Sequence, residues 1–209
     1  MLAAVVIVAI KGLVKIDEFK RMWRVNRQDF LIAACAFLSV LVFGILDGII
    51  IGAVVSLILI IKVVSTPNVA FLGRIPGTNG FSNIERHPDN EIIPNTLIFR
   101  VESPLLYFNV NTVYKTVSNK LAEQKSDLKF DVFDLSASAY IDSSGARLIE
   151  RLHGELSKRG VVLKLANAHS KVRDTLRKEN VESLFGRVGR RDTLLDVVNS
   201  IVEKREVYS

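Results

Sequence analysis

Apolar residues are pooled, not spread, along this chain. Residues 30–61 hold no Lys or Arg, one acid (Asp47), and otherwise only Ala, Val, Ile, Leu, Phe, Cys, Gly and Ser. That is the composition of a membrane segment. As a single helix it would run about 48 Å at ~1.5 Å per residue, well beyond a ~30 Å hydrocarbon core. Gly44, Asp47 and Gly48 stand at its middle, so the run is read as a hairpin with arms over residues 28–46 and 48–64. Another apolar run, residues 2–10, stops at Lys11, about half of the roughly 20 residues needed to span. It lacks the basic start and small-residue cleavage site of a signal peptide, so residues 1–14 are read as the tail of a longer helix. Over residues 15–27, Ile16, Phe19 and Trp23 share one helical face while Lys20, Arg24 and Arg27 lie elsewhere, which predicts an interfacial helix.

Pro67 ends the apolar part, and Pro76, Gly77, Asn79 and Gly80 mark a turn-rich junction. Beyond it the period of the pattern changes. Leu97, Phe99 and Val101 alternate with Ile98, Arg100 and Glu102, predicting a half-buried strand; Val113, Val117 and Leu121 recur every fourth residue, predicting a helix. Further strands are expected over 130–135, 161–166 and 184–188, and helices over 144–159, 170–180 and 193–203. Strands separated by helices imply a mainly parallel sheet covered by helices. The chain thus divides into transmembrane α-helices (residues 1–67), a linker with a leading strand (68–95) and a soluble α/β domain (96–209).

Composition agrees with that division. The chain of 209 residues is 49% hydrophobic and 24% charged, which excludes disorder, and its single cysteine, Cys35, excludes an intramolecular disulfide. Its mean hydropathy of +0.28 averages a membrane piece with a charged domain. Residues 1–67 carry 7 basic and 4 acidic residues and residues 68–209 carry 21 and 18, so each part contributes +3. In the second part the basic residues are interleaved with acids, so nucleic acid is not an expected partner despite a pI near 9.5. Basic residues collect between Lys11 and Arg27 and at Lys62, but not near Asp47. By the positive-inside bias, the connector and everything after Lys62 are cytoplasmic and Asp47 faces out. An ionisable residue within a membrane run is a functional suspect; followed by Gly48, Asp47 equally suits a turn in water.

Few residues suggest chemistry. His87, His153 and His169 lack ligand spacing, and no Walker-type phosphate loop is present, so neither a metal nor a cofactor is expected. No paired acid, base and nucleophile emerge, so catalytic residues are not assigned. Arg187, Arg190 and Arg191 form a basic cluster that suits an acidic partner, lipid headgroups or plain solvation. The stretch that stands out is residues 130–147, FDVFDLSASAYIDSSGAR. A buried strand ends near Leu135, and Asp142, Ser143, Ser144 and Gly145 stand where the next helix begins. Asp and Ser there can accept from first-turn amides, and Gly permits close backbone approach. The place is also the carboxyl end of a parallel strand and the positive end of a helix, a usual location for anions and ligands. Capping alone and a functional loop both explain these residues.

Asp134-Leu135-Ser136, Ile141-Asp142-Ser143-Ser144-Gly145, Arg159-Gly160 and the run from Leu163 to Ala168 resemble the STAS domain of sulfate transporters and anti-anti-sigma factors. The preceding AAVVIVAIKGLV, the basic linker with Trp23, the Asp29-Phe30 pair, DGIIIGAVVSL, and Leu72 through Thr78 are similar to the end of the SulP family of inorganic anion transporters. The resemblance implies secondary active transport of sulfate or a similar anion, by symport or exchange, in a homodimer embedded in membrane lipid. It also implies that the chain is a carboxyl-terminal fragment, lacking the helices that hold the anion, so no substrate-binding residue is carried over. The phosphoacceptor of anti-anti-sigma factors falls on Ser144, with Asp142, Ser143 and Gly145 forming its loop and a regulatory protein as partner. A membrane-tethered STAS regulator that transports nothing is the alternative reading.

Overall fold

The computed structural model describes residues 16–25, 27–123, 128–186, 188–190 and 192–206. They fall into two compact units that meet between Lys62 and Val63. The expected helix over residues 1–14 lies outside the described residues, as do the side chains of Ile16 and Phe19.

In the first unit, α1 (Ile16–Val25) occupies the segment whose pattern predicts an interfacial helix, followed by α2 (Arg27–Phe43) and α3 (Ile45–Ser65). Trp23 packs edge-on against Phe30, with ring centroids 4.8 Å apart. Among the described residues α3 is the one helix long and apolar enough to cross a membrane, while the apolar part of α2, Phe30–Phe43, is shorter.

The chain reverses at Gly44, not at Asp47 and Gly48. Gly44 takes a φ of +86°, a left-handed conformation that glycine adopts without a Cβ clash. Asp47 lies instead in the first turn of α3, exposed, where its charge suits the positive end of the helix dipole. Gly48 faces Val40 so closely that any Cβ would overlap the Val40 backbone, and a Cβ on Gly52 would come within 2.9 Å of the Ala36 Cβ. Both pairs are symmetric about Gly44, so α2 and α3 run antiparallel in close contact, as small residues allow in membrane helices.

The second unit contains β1 (Val69–Arg74), β2 (Phe81–Asn83), β3 (Thr96–Val101), α4 (Val110–Glu123), β4 (Phe130–Asp134), α5 (Ser143–Lys158), β5 (Val162–Ala166), α6 (Ser170–Lys178) and α7 (Leu194–Glu206). The strands form a mixed sheet ordered β2-β1-β3-β4-β5. β3, β4 and β5 are parallel, joined by α4 and α5, whereas β1 is antiparallel to both of its neighbours. The turn predicted around Gly77 joins β1 to β2, with Ile75 N donating to Gly80 O at 2.9 Å.

Both faces of the sheet are covered. Phe99, Phe133 and Leu163 pack with Val113 and Val117 of α4, Ile149 and Leu152 of α5, and Val172 of α6. On the other face Ile98, Val132 and Ala166 meet Leu194, Val198 and Ile201 of α7. Phe99 and Phe133, opposite in register, stack with centroids 4.4 Å apart. β3 is therefore buried on two sides, not one as its alternation predicts, because α7 covers Ile98. The described residues among 184–188 do not form the expected strand. Glu182–Leu184 is a 3-10 turn, Gly186 takes a φ of +71°, and Phe185, half-buried against the core, sets its ring against His153, centroids 5.1 Å apart.

Candidate functional site

The polar loop after β4 leads into α5, and Asp142 caps it. Its backbone is extended (φ −94°, ψ −176°), and Oδ1 accepts from Gly145 N at 2.9 Å. The second carboxylate oxygen accepts from Tyr107 N at 2.8 Å. The Asp142 amide in turn donates to Leu105 O at 3.0 Å, beside a parallel bridge between Leu105 and Ile141. One side chain thus ties the start of α5 to the loop that follows β3. Gly145 is needed for the same approach: a Cβ there would lie 2.9 Å from the Leu105 Cβ and 2.9 Å from its carbonyl oxygen.

The two serines of the loop point to different surroundings. Ser143 is exposed and donates its hydroxyl to Glu179 Oε1 at 2.7 Å, at the carboxyl end of α6. Ser144 is half-buried and lines a cavity of about 190 Å³ between α4 and α5, with Val110, Asn111, Tyr114, Arg147 and Arg151. The Arg151 guanidinium lies over the Tyr114 ring, 3.6 Å from its centroid, and the Tyr114 hydroxyl donates to Glu155.

A second polar cluster, at the carboxyl ends of β3 to β5, is more completely satisfied. Asp134 is fully buried and accepts from Arg100 Nε at 2.7 Å, Ser136 N at 3.0 Å, Ser136 Oγ at 3.1 Å and Asn167 Nδ2 at 2.9 Å, with Arg100 Nη2 at 2.6 Å. Sequence reasoning took Asp134 only as part of a motif. The sequence offers no separate signal for the pair, because Arg100 lies on the polar side of the β3 alternation and its acid is 34 residues away. Asp131, three residues earlier on β4, is also fully buried, but neither carboxylate oxygen has a partner of proper geometry. Burial, only partly offset by the nearby Val132 amide, pushes its carboxyl well above the usual carboxylate range.

The remaining candidates stay apart. His169 contacts Ser136 O at 2.9 Å, His153 packs on Phe185, His87 is exposed, and Cys35 is half-buried in α2. Arg190 is exposed; Arg187 and Arg191 lie outside the described residues. Among the described residues no group of three or more His, Cys, Asp or Glu is placed to hold a metal ion.

Comparison with known proteins gives a family. The model of the STAS domain matches residues 87–197. The chain is 30% identical over 195 residues to the probable sulfate transporter 4.2 of Arabidopsis thaliana, covering 89% of this chain and 29% of that protein. It is 34% identical over 175 residues to sulfate transporter 1.1 of the same plant, covering 80% and 27% respectively. It shares the fold of part of the murine solute carrier 26 family member A9, an anion transporter in the inward-facing state, with a TM-score of 0.74 at 21% identity over 88% of this chain and 30% of that one. The chain spans less than a third of the length of these relatives.

Proposed function

The chain belongs to the STAS-domain family, and from that premise we propose that it forms the carboxyl-terminal part of a secondary active transporter of sulfate or a related inorganic anion. In this reading α2 and α3 are gate-domain helices embedded in the membrane, and the α/β unit is a cytoplasmic regulatory domain of a homodimer. The observation that carries the reading is the extent of the similarity. An alignment of 195 residues to a sulfate transporter is longer than the STAS match and takes in the apolar hairpin as well. A tethered regulator related only through its STAS domain would not account for that. Among the described residues the two charged side chains of α3 lie far apart, Asp47 in its first turn and Lys62 in its last. In this reading the anion site belongs to other helices of a longer protein.

Uptake of labelled sulfate into proteoliposomes tests the assignment. The longer protein is expected to accumulate sulfate, with unlabelled inorganic anions competing, and the present chain alone is expected to accumulate none. Uptake by the chain alone would overturn the placement of the anion site, and a longer protein inert toward every inorganic anion tried would overturn the transport reading.

Within the regulatory domain we assign the control point to Asp142, Ser143, Ser144 and Gly145, with Ser144 as phosphoacceptor. In support, the Ser143 hydroxyl is already engaged by an acid, Glu179, which would repel a phosphate, whereas Ser144 shares its cavity with Arg147 and Arg151. A phosphate there adds about −1.5 to −2 charge at a helix amino terminus. Labelling by cellular kinases should vanish from this loop in Ser144→Ala; label that persists on Ser143 would contradict the assignment.

A further inference from the structure

The groove between α4 and α5 carries an arrangement that neither transport nor helix capping uses. Arg147 and Arg151, one turn apart on α5, both line the cavity, with Val110, Asn111 and Tyr114 of α4 forming its opposite wall. Arg147 is exposed and has no carboxylate partner among the described residues. Arg151 is held differently. Its guanidinium carbon lies 3.6 Å from the Tyr114 ring centroid, and its Nε is 3.8 Å from Glu155 Oε1, while the Tyr114 hydroxyl is bound to the same carboxylate. Contact with the ring restrains the guanidinium, and one acid at 3.8 Å leaves most of its five donors unspent.

We propose that this groove is a docking site for an acidic segment of a protein partner, in which a carboxylate is received by Arg147 and Arg151 and a neighbouring apolar side chain lies against Val110 and Tyr114. Three features fit that occupant. Two guanidiniums one turn apart match the forked geometry of carboxylate recognition, and the one over Tyr114 loses little freedom on binding. The wall contributed by α4 is partly apolar, which suits a side chain and not a freely hydrated ion. Tyrosine and arginine together are the residue types that carry most of the energy of protein interfaces. The proposal concerns the unmodified loop, since a phosphate on Ser144 would compete for the same two arginines, and it does not depend on which anion, if any, is transported.

The test uses the full chain in non-ionic detergent and two fluorescent peptides, one alternating leucine with glutamate and one alternating leucine with glutamine. The glutamate peptide should bind, and the glutamine peptide should bind roughly ten-fold more weakly or worse. Arg147→Glu/Arg151→Glu should weaken binding of the glutamate peptide by about ten-fold or more, and Arg147→Gln/Arg151→Gln by a smaller factor. Lys171→Glu, a charge reversal at an exposed position of α6, should leave it unaltered; unchanged circular dichroism confirms that each variant is folded. Failure of the glutamate peptide to bind, equal binding of the two peptides, an equal loss in Lys171→Glu, or indifference to the arginine variants would each overturn the proposal. So would complete displacement of the peptide by inorganic phosphate at equal concentration, or by anionic vesicles, since the groove would then be a general anion or lipid site.

Discussion

Arg100 of β3 and Asp134 of β4 stand opposite each other in the parallel register and form an ion pair, Nε to Oδ2 2.7 Å, on a carboxylate that water does not reach. The pair closes the carboxyl end of the sheet a few residues before the loop that starts α5. Arg100→Met removes the countercharge and leaves Asp134 with neutral donors only. Unfolding by urea in detergent should show a loss of about 3 kcal/mol or more, the usual result of stranding one buried partner. Adding Asp134→Asn to Arg100→Met should recover part of that loss. Strictly additive losses in the double variant would mean that the two residues do not act as a pair.

Asp131 makes the opposite prediction. Its carboxyl is raised in the folded chain by burial, so below the unfolded value of roughly 4 both states are protonated and nothing is lost. As pH rises past that value the unfolded state ionises first, and stability falls until the folded carboxyl also gives up its proton. Asp131→Asn should therefore match the parent in acid and be more stable near neutrality, with a gap that widens with pH at up to ~1.4 kcal/mol per pH unit. Melts from pH 3.5 to 7.5 decide the matter; a gap independent of pH would exclude titration of Asp131 as its cause.

Most of the fold is legible in the sequence because periodicity reports burial. The helices around Val113, Leu152 and Val198, and the parallel strands containing Phe99 and Phe133, follow directly from it. What periodicity misses depends on neighbours distant in sequence. Arg100 looked like the solvent side of a strand because its acid is 34 residues away, and Ile98 looked spare until α7 returned to cover it. Phe185 and Val188 flank a glycine like the ends of a short strand, yet Gly186 turns the backbone and the core claims both side chains. The loop at Asp142 was visible through its residue types. Its tie to Tyr107 and the different surroundings of Ser143 and Ser144 required the third dimension.

Asp142 satisfies two amides in two segments, Gly145 of α5 and Tyr107 of the loop after β3. Asp142→Ala should cost about 1–2 kcal/mol, at the upper end for a helix cap, because the second amide is also left unpaired. Asp142→Asn, which retains an acceptor oxygen, should cost less. Hydrogen exchange should show both amides opening faster in Asp142→Ala; faster exchange at Gly145 alone would mean that the contact to Tyr107 contributes nothing.

The hairpin permits an ordered prediction about α2 and α3. A methyl group at residue 48 meets the backbone of Val40, which cannot rotate away, whereas at residue 52 it meets the Cβ of Ala36 at 2.9 Å and its Cα at 3.5 Å. Both substitutions must therefore move the helices apart, Gly48→Ala further than Gly52→Ala. Overpacking of this kind typically costs about 1–3 kcal/mol, and Gly48→Ala should lie at the higher end with Gly52→Ala clearly below it. Helix propensity acts in the other direction, favouring Ala over Gly by roughly 1 kcal/mol at each position, so a loss at residue 48 measures packing against that gain. Leu57→Ala, at an exposed position on α3, serves as the control, since no close neighbour is disturbed there. Thermal melts in detergent, followed by helical circular dichroism, should rank Gly48→Ala as the least stable of the three. Gly48→Ala as stable as the control would mean that α2 and α3 do not pack through this glycine face.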